Sequence, residues 1–78
     1  MNKNDLRETL NREGFSPDCY DLDGGLLPET YTLAYEAGEW SVYYSERGLK
    51  TGKRCFASES EACEYFLSEL REDPTTKR

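Results

Sequence analysis

The clearest periodicity lies in the middle of the chain. From Thr30 to Glu36 apolar and polar positions alternate, which places Tyr31, Leu33 and Tyr35 on one side; from Glu39 to Glu46 they alternate again, with Trp40, Val42 and Tyr44 together. A period of two is that of a strand with one buried face. With Ala37-Gly38 as a two-residue hairpin loop, the opposed pairs are Tyr35 with Trp40, Leu33 with Val42 and Tyr31 with Tyr44, all on one face. A slip of one residue would scatter them over both faces, so the pattern itself selects the register. The other side carries Thr32, Ala34, Ser41, Tyr43 and Ser45 and is expected to face away from the core.

Helical spacing flanks this hairpin. Residues 4–13 read as a helix with Asn4 as N-cap, Asp5 in the first turn, and Leu6 and Leu10 on one face. Gly14 stands where a C′ glycine belongs, and Phe15 follows where a Schellman stop would lay it against Leu10. Near the other end, Ser58-Glu59-Ser60-Glu61 has the form of a capping box. Ala62, Cys63, Phe66, Leu67 and Leu70 then make an apolar stripe at helical spacing. Glu59, Glu61 and Glu64 early and Arg71 late suit the helix dipole, and Pro74 stops the helix.

The remaining elements are weaker. Ser16-Pro17-Asp18 is a turn, and Cys19 to Leu22 is a short strand with Tyr20 and Leu22 facing one way. Asp23-Gly24-Gly25 breaks it, and Leu26-Leu27-Pro28-Glu29 leads into the hairpin. Residues 47–52 form a connection, and Lys53 to Ala57 a further strand with Phe56 inward. The order α-β-β-β-β-α predicts an α+β fold of two layers: an antiparallel three- to four-stranded sheet with the N- and C-terminal helices packed on one face. The chain is expected to be a single domain over residues 1–78, ordered from about 4 to 73, with a frayed tail at 74–78.

Seventy-eight residues bury only roughly 60–65% of their unfolded surface, which leaves no room for a deep active site. Ten aromatic residues partly compensate, and they argue against disorder. The sixteen acids outnumber the ten bases, for a net charge of −6. Such a chain repels phosphate backbones and anionic membranes and attracts basic proteins. It contains no histidine, so His-activated serine or cysteine nucleophiles are excluded. The three cysteines, Cys19, Cys55 and Cys63, are odd in number and lack Cys-x-x-Cys spacing, which favours reduced thiols over a disulfide framework or zinc site. No apolar run is long enough to span a membrane, and Met1-Asn2-Lys3-Asn4-Asp5 lacks a signal-peptide pattern. The expectation is a cytoplasmic protein that is not an enzyme, with no cofactor, no metal, no small-molecule substrate, and neither nucleic acid nor membrane as partner.

Three groups bear on binding. Arg47, Lys50, Lys53 and Arg54 hold four of the positive charges, and helices flanking a sheet suggest a double-stranded RNA-binding arrangement; the acids Glu59, Glu61 and Glu64 stand where that arrangement needs lysines. Asp18, Asp21 and Asp23 cluster before the glycines, and Asp21-Leu22-Asp23-Gly24-Gly25 resembles the start of a calcium loop without its later ligands. Tyr43 is the one large residue on the off-core face of the hairpin, a residue type favoured at interface hot spots.

Glu13-Gly14-Phe15, Leu22-Asp23-Gly24-Gly25, Trp40-Ser41-Val42-Tyr43-Tyr44-Ser45-Glu46-Arg47-Gly48 and Phe56-Ala57-Ser58-Glu59-Ser60-Glu61-Ala62-Cys63-Glu64-Tyr65-Phe66 together resemble small immunity proteins of bacterial polymorphic toxin and contact-dependent growth inhibition systems. The resemblance implies a cytoplasmic inhibitor that binds a cognate toxin domain, a basic nuclease being the expected kind, and occludes its active site or substrate surface. It implies no catalytic residues. The partner-binding residues expected are Asp21, Asp23, Tyr43, Glu46, Arg47 and Glu59. The alternatives are a protein-binding regulatory or adaptor module and an RNA-binding domain.

Overall fold

The computed structural model describes residues 1–25 and 28–76; Leu26-Leu27 and the final part of the tail, residues 77–78, lie outside them. The chain runs α1 (Lys3–Arg12), β1 (Tyr20–Asp21), β2 (Thr30–Glu36), β3 (Glu39–Glu46), β4 (Leu49–Phe56) and α2 (Glu59–Glu72). The four strands form one sheet in the order β1-β2-β3-β4, and the helices pack on it, so the α+β order stands as the sequence predicts.

The central hairpin has the expected register: Tyr35 opposite Trp40, Leu33 opposite Val42, Tyr31 opposite Tyr44. Both loop residues are left-handed, Ala37 at φ 52° and Gly38 at φ 78°, the backbone that matches strand twist in a two-residue turn. Leu33 and Val42 are buried, and on the same face Leu6 and Leu10 of α1, Phe15, Leu22, and Ala62, Cys63, Phe66, Leu67 and Leu70 of α2 complete one core. α1 ends as predicted: Phe15 N–H donates to Leu10 O at 3.1 Å and Gly14 N–H to Asn11 O at 3.2 Å, with Gly14 at φ 82°, a Schellman stop. Its start lies two residues before the expected cap. Asn2, not Asn4, is the N-cap, and its side chain and that of Asp5 bond each other's backbone N–H.

Three features depart from the sequence reading. β4 begins at Leu49, directly after a tight turn in which Arg47 (φ 51°) and Gly48 (φ 82°) are both left-handed. The strand is hidden in the sequence because its register shifts between Val42 and Tyr44, leaving Gly52 and Lys53 opposite Tyr43 alone. The extra residue inverts the alternation, and the edge position leaves β4 exposed along most of its length.

β1 joins parallel to β2, with Tyr20 beside Tyr31 and Asp21 beside Thr32, so the sheet is mixed and only its remaining pairings are antiparallel. The tail is docked as far as Thr76. Pro74–Thr76 forms a 3₁₀ turn in which Thr76 is buried; its hydroxyl lies 2.7 Å from Leu70 O and from Asp73 O, and Ser16 N–H donates to Thr76 O at 2.8 Å.

A parallel strand needs a crossover, and the segment after β1 provides it over the sheet face away from the helices. Gly24 N–H donates to Leu33 O at 3.1 Å, and a Cβ on Gly24 would stand 3.3 Å from the Ala34 Cβ. Thr30, Thr32, Ala34, Ser41, Tyr43 and Ser45 are all buried on this face. Five of the six are small, which lets backbone approach this closely.

Candidate partner-binding surface

The six residues expected to meet a partner separate into two groups. Four of them hold the fold. Asp21 accepts the Asp23 N–H at 2.8 Å and the Gly25 N–H at 3.0 Å, so its carboxylate shapes the crossover. Asp23 pairs with Lys3 Nζ at 3.0 Å and lies 3.7 Å from Arg7, and the lysine ammonium holds its carboxyl below the usual range. Glu59 accepts the backbone N–H of Lys3 at 2.8 Å. The preceding residue, Ser58, caps α2 by accepting the Glu61 N–H at 3.4 Å.

Tyr43 is only 2% exposed. Its hydroxyl donates to Gly25 O at 3.4 Å and the Lys50 ammonium sits 5.0 Å from its ring centroid. Tyr43 is therefore no surface anchor: the crossover covers the face on which it lies. Glu46 and Arg47 do remain exposed, at the β3–β4 turn, whereas Asp23 and Glu59 meet at Lys3.

The basic connection also divides. Lys50 reaches Glu36 at 3.4 Å on the crossover side. Arg54 turns to the helix side, with its guanidinium carbon 5.7 Å from the Tyr65 ring centroid. Opposite-facing cations do not make one phosphate-tracking stripe.

What the fold does bring together lies between β4 and α2. The register shift at Gly52 (φ 64°) turns β4 aside. Between it and α2 a cleft of about 220 Å³ opens, lined by Tyr31, Val42, Tyr43, Tyr44, Thr51, Gly52, Tyr65 and Glu69. Tyr31 and Tyr44 are opposed in the hairpin and meet edge to face at 5.0 Å. Tyr65 and Glu69, one turn apart on α2, are joined by a 2.5 Å bond from the phenol to the carboxylate. Tyr31 likewise donates to Asp73 at 2.9 Å. The Tyr31 phenol is pushed up to about 12, first by burial and then by Asp73 and Glu69. Tyr44 is raised by burial and by Glu29, Glu46 and Asp73, and Tyr65 by its bond to Glu69. These phenols are held protonated in a negative field, so they are acceptors and ring faces rather than bases.

An aromatic row leads into this cleft. Tyr35, 60% exposed, packs on Trp40 at 4.9 Å; Trp40 is opposite Phe56; Phe56 packs on Tyr65 at 5.3 Å. Leu49 is 69% exposed on the same strand edge. Sequence reasoning missed Tyr65 and Glu69 because they lie off the apolar stripe of α2. The available signal was a Tyr and a Glu at (i, i+4), which share a helix side.

Among the described residues no group of Cys, Asp and Glu is arranged to hold a metal ion, and no helix is long and apolar enough to cross a membrane. Comparison with protein-family models, with curated proteins and with solved structures found no match.

Proposed function

We propose that this chain is an inhibitor of the immunity type, which binds a cognate bacterial toxin domain in the cytoplasm and covers its active site or substrate surface. A basic nuclease is the expected target. The observation that carries the reading is the aromatic row Tyr35–Trp40–Phe56–Tyr65 ending in a carboxylate-bordered cleft. Half-buried aromatic side chains already held in place lose little freedom on binding and dominate interface energies. The acidic balance of the chain would steer it toward a basic partner and raise the encounter rate. Glu46, of the residues singled out from the sequence, belongs to this side of the molecule through its effect on Tyr44.

The test is co-expression with the toxin domain encoded beside it. The chain should restore growth and co-purify with the toxin domain. Tyr35→Ala, at an exposed position, should weaken the complex by roughly tenfold or more while leaving the fold intact. Absence of both rescue and complex would overturn the reading.

A further inference from the structure

Resting on that inhibitor reading for the nature of the partner, we infer that the cleft between α2 and β4 receives one arginine side chain of the partner protein. Size is the first argument. At about 30 Å³ per water, 220 Å³ admits one long side chain and a little solvent; pockets for drug-sized ligands begin near ~300 Å³.

The second argument is the chemistry of the walls. The Tyr31 hydroxyl spends its proton on Asp73 and the Tyr65 hydroxyl spends its proton on Glu69. Each phenol oxygen then offers only lone pairs, and at Tyr65 the Arg54 guanidinium already donates to one of them. With Glu69 at the border and Val42 as the one aliphatic side chain in the lining, the walls present mainly acceptors and aromatic rings. An anion would meet the Glu69 carboxylate. An apolar side chain would strip water from acceptors and give nothing in return. A flat cation satisfies both kinds of wall, since its plane stacks on a tyrosine ring while its edge donates to carboxylate and phenol oxygens. Burial raises the Tyr31 and Tyr44 phenols first and the bond to Glu69 raises Tyr65 first; carboxylates among Glu69, Asp73, Glu29 and Glu46 add to each, and Arg54 opposes them at Tyr65.

The chain already contains the pairing in miniature. Arg54 places its guanidinium carbon 5.7 Å from the centroid of Tyr65. Arg54 does not line the cleft, so its charge stands beside an incoming arginine as a competitor for the same ring.

The test uses the isotope-labelled full chain and follows tyrosine ring and backbone amide signals by NMR. N-acetyl-arginine N-methylamide is the probe, and its neutral citrulline counterpart is the control. The arginine probe should shift Tyr44, Tyr65, Thr51 and Gly52 saturably, with an affinity about tenfold or more above that of citrulline. Glu69→Gln should weaken arginine binding roughly five- to tenfold, and Arg54→Ala should strengthen it.

Equal shifts from citrulline, a lysine counterpart that binds as tightly, or no saturable response in the wild type would each overturn the inference. Should Glu69→Gln fail to fold, the arginine–citrulline contrast on the wild type decides alone. A wild type that ignores the arginine probe yet rescues growth beside its toxin overturns the arginine site and leaves the inhibitor reading standing. A chain that binds the probe but neither rescues nor binds the toxin does the reverse.

Discussion

Glu59 Oε2 accepts the backbone N–H of Lys3 at 2.8 Å, so a carboxylate in the first turn of α2 caps the first turn of α1. One negative charge thereby serves two helix N-termini and their dipoles. Its loss acts on stability first. Glu59→Ala should cost about 1–2 kcal/mol in urea denaturation, with amide exchange rising first in α1. Glu59→Gln keeps an acceptor and should cost less.

The two hairpin turns each hold a side chain in the left-handed region, Ala37 at φ 52° and Arg47 at φ 51°. Asparagine tolerates that backbone better and is favoured before glycine in such turns. Ala37→Asn and Arg47→Asn should each stabilise the fold by about 0.5–1 kcal/mol. At this chain length that corresponds to a Tm increase of roughly 2–8 °C in thermal unfolding by circular dichroism.

Tyr43 and Tyr35 should respond in opposite ways. Tyr43 lies under the crossover and Tyr35 on the surface. Tyr43→Ala should cost about 3–5 kcal/mol, against a total near ~4–12 kcal/mol for a domain of this length. Tyr43→Phe loses only the long bond to Gly25 and should cost about 1 kcal/mol or less. Tyr35→Ala loses only the ring pair with Trp40 and should cost about 0.5–1.5 kcal/mol. Denaturant midpoints of the three variants measure this contrast.

Alkali should titrate the half-buried phenol of Tyr31. The Tyr31 hydroxyl ionises at about 12 in the folded chain and near 10 in the unfolded one. Between those values the unfolded state has lost a proton that the folded state keeps, so stability falls as pH rises from 10 to 12. Tyr31→Phe should make that fall shallower. Denaturation at pH 9, 10 and 11 measures the slope.

The cysteines should separate by access. Cys55 is exposed, whereas Cys63 is buried and its thiol is pushed up to about 11. Alkylation requires a reachable thiolate. Iodoacetamide at pH 8 should label Cys55 in the native protein and reach Cys63 only as denaturant unfolds the core. Peptide mass spectrometry reads both sites.

The hairpin register, the core stripe of α2 and the Schellman stop of α1 were all legible in the sequence. Each rests on contacts local along the chain or on alternation that has one buried face, so residue spacing carries the information. β4 was legible only in its second half, because a strand exposed on both faces has no alternation to display and the extra residue at Gly52-Lys53 inverts what remains. The fate of Tyr43 was decided by a partner distant in sequence. Two residues, Tyr20 and Asp21, pair parallel with β2, and the crossover that this demands closes over a face that spacing alone leaves open.

The candidate site follows the same division. The sequence by itself determined that the chain is acidic, rich in tyrosine and free of histidine. Only the tertiary structure decided that Asp21, Asp23 and Glu59 serve the fold, and that Tyr31, Tyr44, Tyr65 and Glu69 share a cleft. The reason is geometric: charge and residue type are properties of the chain, whereas a cleft exists only in the gap that α2 and β4 leave between them.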